Sequence, residues 1–133
     1  MEKIGELLGF LAAGCYFIAV ANLFAKQINR IWIVKFPREN GFRMFCQRVL
    51  RLLVRYHRVF GVAAGIFAAV HLLWQAVNVR ISYSGVLATM LMATVVLAGM
   101  LIAFAHRRNL TGAHRTAAVA VLALVLFHIA AKF

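Results

Sequence analysis

The sequence predicts an all-α membrane protein, a bundle of four transmembrane helices with an interfacial amphipathic helix ahead of span two. All of it falls in one domain over residues 1–133. Three observations carry this expectation. Of the 133 residues, 65% are hydrophobic and mean hydropathy is +0.89, well above the apolar share of ordinary soluble domains. Four apolar runs each reach the roughly 20 residues that a helix needs to cross hydrocarbon. The fifteen Lys and Arg, against three acids (Glu2, Glu6 and Glu39), fall between those runs, where they read as topology signals. A net charge of +12 also raises nucleic acid as a partner, but no groove-reading motif accompanies it, so that class is set aside.

Span one runs from Ile4 to Ala25. Within it Leu11-Ala12-Ala13-Gly14-Cys15 resembles a lipoprotein cleavage site and Ala19-Val20-Ala21 a signal-peptidase site. Glu2 and Glu6 spoil the positive n-region that either signal needs, which leaves a first helix. The connection from Lys26 to Arg55 holds the only proline, Pro37, and is dense in cations. In its second half Arg48, Arg51 and Arg55 recur at i, i+3 and i+7 while Val49, Leu50, Leu52 and Leu53 cover the rest. That pattern suits a helix lying along the interface before it turns into span two.

Span two covers Tyr56 to Val77, a short link carries only Arg80, and span three covers Tyr83 to Ala105. A second basic connection brings His106, Arg107 and Arg108, and span four, Gly112 to Lys132, opens with His114 and Arg115. The positive-inside rule puts both basic connections in the cytoplasm of a bacterial inner membrane, with both termini outside and spans two and four co-directed. Cys15 lies in an apolar run and Cys46 in a stretch facing the reducing side, so no disulfide is expected. No C-x-x-C-H occurs, which excludes covalently attached c-type haem.

The histidines are the chemistry-bearing residues, because an ionisable group inside a span is costly unless it has a task. His57 and His71 lie fourteen residues apart on span two, and His114 and His128 fourteen apart on span four. Fourteen residues make nearly four helical turns, so each helix offers two imidazoles on one face at depths about 21 Å apart. On co-directed helices His57 faces His114 and His71 faces His128, and an iron between each pair receives two axial imidazoles. A haem plane against a helix needs small neighbours. The ridge from His57 reads Gly61, Ala64, Ala68, His71, and that from His114 reads Ala118, Val121, Val125, His128. Gly61 and Gly65 form a G-x-x-x-G that serves close helix packing equally well.

Arg55, Arg58 and Arg115 flank the first histidine of each pair, where cations can meet haem carboxylates, although arginines at a span end also serve topology alone. For orienting the rings, Ser82, Thr89, Thr94 and Thr116 are the hydroxyl candidates. His106 has no partner at fourteen residues and is expected at the headgroup level.

The string Arg55-Tyr-His57-Arg58-Val-Phe-Gly61, followed by His71-Leu-Leu-Trp74, resembles the first ligand helix of the ferric reductase and NADPH oxidase transmembrane domain. It is also similar to the small flavinylation-associated cytochromes of bacteria, whose helices carry H-x3-G-x9-H. Ala113-His114-Arg115 through His128 would be the second ligand helix, with one helix intervening, as in the first four helices of the cytochrome b of respiratory bc complexes. The resemblance covers spans two to four. It implies a di-haem cytochrome b with His57, His71, His114 and His128 as axial ligands. The chain departs from the oxidases in holding no flavin or nicotinamide domain, and from the bc cytochrome in holding no quinol-site loop.

The function expected is transmembrane electron transfer through two bis-histidine b-type haems, as a subunit rather than a self-contained enzyme. No nucleotide loop, thiolate cluster or Ser/His/Asp set is present, so a flavoprotein, iron-sulfur or multi-haem partner, or a quinone, supplies or accepts the electrons. The rival expectation is a membrane anchor or quinone-reactive subunit with one haem or none that docks a dehydrogenase. A third, a small proton-relaying transporter or structural bundle, ranks below both.

Overall fold

In the computed structural model, which describes residues 2–131, four helices follow one another: α1 (Glu2–Ile31), α2 (Gly41–Asn78), α3 (Tyr83–Phe104) and α4 (Thr111–Ala130). Single 3-10 turns at Ile33–Lys35 and Arg108–Leu110 shape the two longer links. All four helices are long and apolar enough to cross a membrane, and the chain is a multi-pass, all-α membrane protein. The expected end of span four at Lys132 lies outside the described residues.

Local chemistry sets the helix ends. Asn40, three residues after Pro37, caps α2 by accepting from the backbone N–H groups of Phe42 and Arg43, two of the donors that a helix start leaves unpaired. Ser82 caps α3 through Gly85 N–H in the same way. At the far end of α3 the chain turns at His106, which takes φ 52°. This left-handed conformation commonly follows a helix C-terminus and is usually given to glycine or asparagine.

The sequence suggests an interfacial helix that turns into span two, and the structure joins the two. Residues 41–78 form one unbroken 38-residue helix. No proline falls between Gly41 and Asn78, and without a breaker the backbone hydrogen bonds continue through Arg55 and Tyr56. α1 is extended likewise, to 30 residues.

The helices close a ring in which α1 packs on α2, α2 on α3, α3 on α4 and α4 back on α1. α2 and α4 face each other across the bundle without close backbone approach. Neighbours are antiparallel, so α2 and α4 are co-directed. The core is a slab of small and medium side chains: Ala12, Ala13, Tyr16 and Val20 from α1, Ala64 and Ala68 from α2, Ala88, Met92 and Val95 from α3, Val121 and Val125 from α4. Small residues suit a membrane bundle, where backbone approach replaces the hydrophobic drive available in water. The Tyr16 hydroxyl, deep in the slab, donates to the Ala118 carbonyl and ties α1 to α4. Leu73, Val77, Leu97 and Phe127 point outward and give the bundle its lipid-facing surface.

The two glycines of the G-x-x-x-G have different surroundings. A Cβ on Gly65 would lie 3.2 Å from Val96 Cγ2 of α3, whereas one on Gly61 would meet nothing within 4 Å. Gly65→Leu is therefore expected to force α2 and α3 apart at a cost of about 1–3 kcal/mol, read as a lower unfolding midpoint in detergent. Gly61→Leu should leave that midpoint unchanged in haem-free protein.

Candidate functional site: paired histidines at two levels

The four intramembrane histidines are all half-buried, and each is held through Nδ1. His57 Nδ1 lies 2.9 Å from the Ala19 carbonyl and His71 Nδ1 2.8 Å from the Gly5 carbonyl, both on α1. His114 Nδ1 lies 3.0 Å from the Val95 carbonyl, and His128 Nδ1 2.9 Å from Ser84 Oγ, both on α3. A carbonyl only accepts, so Nδ1 of His57, His71 and His114 carries the proton when the ring is neutral. The lone pair then sits on Nε2. This is how metal-binding imidazoles are usually prepared, one ring nitrogen donating to the protein and the other presented to the metal.

The supporting helices repeat the spacing of the ligand helices. Gly5 and Ala19, whose carbonyls hold His71 and His57, are themselves fourteen residues apart on antiparallel α1, so the register between α1 and α2 stays constant over the whole interval. On α3, Gly85 and Gly99 are also fourteen apart, and each lies under a ring of α4. A Cβ on Gly85 would come within 3.2 Å of His128 Cε1, and one on Gly99 within 3.2 Å of His114 Cε1. Gly9 does the same for His71, with 3.1 Å to its Cε1. A hydrogen atom at these positions lets the imidazole lie flat against the neighbouring backbone and reach its acceptor.

Pairing follows from the co-direction of α2 and α4. The His57 and His114 rings face each other with centroids 6.3 Å apart and planes at 86°. An ion bound by one nitrogen of each ring, at the roughly 2 Å usual for imidazole on a first-row metal, separates the centroids by about 6 Å. His71 and His128 line one cavity at the other end of the bundle, shared with Gln75, Arg80, Ser82 and Thr89. Between the two levels the ridges close: Ala64 and Val121 are wholly inaccessible, and Ala68 and Val125 are buried with them. These ridge residues form the core seam that separates the levels, and open space adjoins Gly61, the ridge's glycine.

Other expected residues sit elsewhere. Arg55, Arg58 and Arg115 are exposed, with the Arg55 guanidinium 5.8 Å from the Tyr56 ring centroid. His106 is exposed at its turn. None of the hydroxyl candidates is seen orienting a ring: Ser82 caps α3, Thr89 donates to the Gly85 carbonyl, Thr94 to Met90 and Thr116 to Gly112. Threonines within a helix reach back to the carbonyl four residues earlier, and backbone carbonyls with Ser84 take the orienting role instead. Cys15 and Cys46 are both free thiols. Asn22, one turn beyond Ala19 on α1, is buried, and its Oδ1 has no hydrogen-bond partner among the described residues.

The donor set narrows what such a site can hold. No group of three or more His, Cys, Asp or Glu converges anywhere among the described residues, and a zinc site takes three or four protein ligands. Two imidazoles per level, in ring contact at His57–His114 and lining one cavity at His71–His128, instead suit a metal whose other positions are filled by a macrocycle. No protein-family model matches the chain, and neither a curated protein nor a solved structure is significantly similar to it.

Proposed function

We propose that the chain is a di-haem cytochrome b that carries electrons between the two sides of a bacterial cytoplasmic membrane. His57 and His114 would hold one haem axially, and His71 and His128 the other. The observation that carries this reading is the two-level pairing of imidazoles whose Nδ1 atoms are already committed to backbone or serine partners on α1 and α3. Haem iron bound this way supplies one-electron redox chemistry, its potential set by axial ligation, burial and hydrogen bonding.

The chain's own residues supply orientation, clearance and insulation. Gly5, Ala19, Val95 and Ser84 fix the ring orientations, and Gly9, Gly85 and Gly99 give the rings room. The seam of Ala64, Ala68, Val121 and Val125 keeps water out of the interval between levels about 21 Å apart. Dividing about 30 Å of hydrocarbon into shorter intervals is what a transmembrane electron path requires. By the positive-inside rule, Lys26 to Arg55 and Arg107 to Arg115 face the cytoplasm, so the His57–His114 level is the inner one and both termini are outside. No catalytic residue is assigned, and donor and acceptor belong to a redox partner protein or quinone.

The test is a haem count. Purified protein is expected to show b-type reduced-minus-oxidised bands and two non-covalent haems per chain. One specific observation favours the rival reading, a quinone-reactive anchor with one haem or none: the buried Asn22 Oδ1 is an acceptor that a quinol hydroxyl could satisfy. A single haem, lost on mutation of His57 and bound alongside quinone, would decide for it.

A further inference from the structure

The two helical hairpins of the bundle end at different heights. His57 and His114 stand level with one another. Beyond that level α4 extends three residues to Thr111, α3 nine residues past Val95 to Phe104 and α2 sixteen residues to Gly41, about 5, 14 and 24 Å at the helical rise. α1 accompanies α2, continuing twelve residues past Ala19 to Ile31. The tip is closed by buried Ile33 and by the Arg43 guanidinium, which donates to the carbonyls of Val34 and Phe36. Measured against α3, the taller arm, the α1–α2 hairpin therefore stands clear of the α3–α4 hairpin by about 10 Å.

This excess cannot be absorbed at the opposite end, where residues 79–82 join α2 directly to α3. A 38-residue helix is about 57 Å long, against about 30 Å of hydrocarbon. Because α2 is unbroken, residues 41–50 continue along the axis of the span.

The projecting surface has one sign of charge. Lys26, Arg30, Lys35, Arg38, Arg48 and Arg51 are all exposed, and Glu39 is the single acid between residues 26 and 55. Among these cations stand Trp32, Phe42 and Phe45, each more than half exposed. Exposed aromatics with arginines and almost no acids match the composition of protein-interface centres, and charge complementarity calls for an acidic partner face.

We propose that this hairpin is the docking platform for a soluble protein with an acidic face, seated directly beside the His57–His114 level. That the partner is an electron carrier rests on the haem reading above; that the platform binds an acidic protein rests only on its projection and charge.

The test places the full chain in nanodiscs of purely zwitterionic lipid and titrates it with a fluorescently labelled flavodoxin, an acidic one-electron carrier. Saturable binding is expected, weakened at least about tenfold by raised salt and by the R38E/R48E/R51E triple variant. No saturable binding, or binding indifferent to both changes, overturns the proposal. A spin label at position 45 (F45C in a cysteine-free background) is expected to collide with an aqueous relaxant rather than with oxygen dissolved in lipid. The reverse profile assigns the hairpin to the bilayer surface and also overturns the proposal. Because binding is read from the probe, a colourless preparation that still binds sinks the haem reading alone, and a haem-loaded one that does not bind sinks the docking reading alone.

Discussion

His71→Ala is expected to lower the haem content from two per chain to one, with the remaining haem still low-spin and the helical content unchanged. The ring is tied to the protein by its Nδ1 bond to the Gly5 carbonyl. That carbonyl lies inside α1 and keeps its own helical hydrogen bond when the imidazole is gone. Losing the Nδ1 bond costs the haem-free fold roughly 1 kcal/mol, far short of unfolding a four-helix bundle. On the proposed ligation, losing one of the two histidines that would hold a haem is a much larger insult to its binding than to the fold. His128→Ala should give the same half-loaded protein, and His114→Ala or His57→Ala the complementary one. The core seam through Ala64 and Val121 is what keeps the two losses separate. Retention of both haems in either single variant, or loss of both from a fully helical protein, would contradict the pairing.

The second large effect comes from residues that never touch a metal. Gly99→Val places a branched side chain where even a Cβ would sit 3.2 Å from His114 Cε1, which pushes the ring and strains its bond to the Val95 carbonyl. Disturbing the outer partner of a metal-bound histidine commonly costs 10–100-fold in affinity, so haem affinity at the His57–His114 level is expected to fall by about that factor while the other level keeps its haem. Gly85→Val should weaken the His71–His128 level instead, and it also crowds Ser82 Oγ, at 2.8 Å. It thereby disturbs the cap of α3 at a further cost of about 1 kcal/mol. Gly14→Val is the control, because a side chain there meets nothing within 4 Å. Haem titration of each variant, followed by absorbance, measures these differences; equal losses at both levels would argue for a global packing defect.

Much of this was legible in the sequence because hydropathy and the fourteen-residue spacing both survive translation into helices directly. The four spans follow from run length, and the facing of His57 with His114 follows from helical phase together with co-direction of α2 and α4. What composition could not supply was the partner of each ring. Hydroxyl side chains are visible in a sequence, but Ser82 caps α3 and Thr89, Thr94 and Thr116 bond within their own helices. Ala19, Gly5 and Val95 act through backbone carbonyls that every residue possesses, so only the register of α1 on α2 and of α3 on α4 reveals them.

The sequence also carries a second signal, since Gly85 and Gly99 repeat the interval of the histidines. This glycine pair leaves room for the His128 and His114 rings of α4. The continuity of α2 was also there to be read, since nothing between Gly41 and Asn78 breaks a helix. The amphipathic pattern around Arg48, Arg51 and Arg55 says which faces are charged, and it is silent on whether the segment lies flat or stands up. Arg80, a lone cation on a short link in the sequence, lines the cavity shared by His71 and His128.

The central claim is that two imidazoles, one from α2 and one from α4, meet on a single iron at each level. Low-temperature electron paramagnetic resonance of the oxidised, purified chain tests it most directly. The account predicts low-spin ferric signals from two bis-imidazole haems. The near-perpendicular planes of His57 and His114 predict that one of these is strongly anisotropic, because crossed ring planes bring two iron orbitals close in energy. That signal should vanish in His114→Ala and persist in His128→Ala. A high-spin spectrum, or no ferric signal from fully folded protein, would contradict the account.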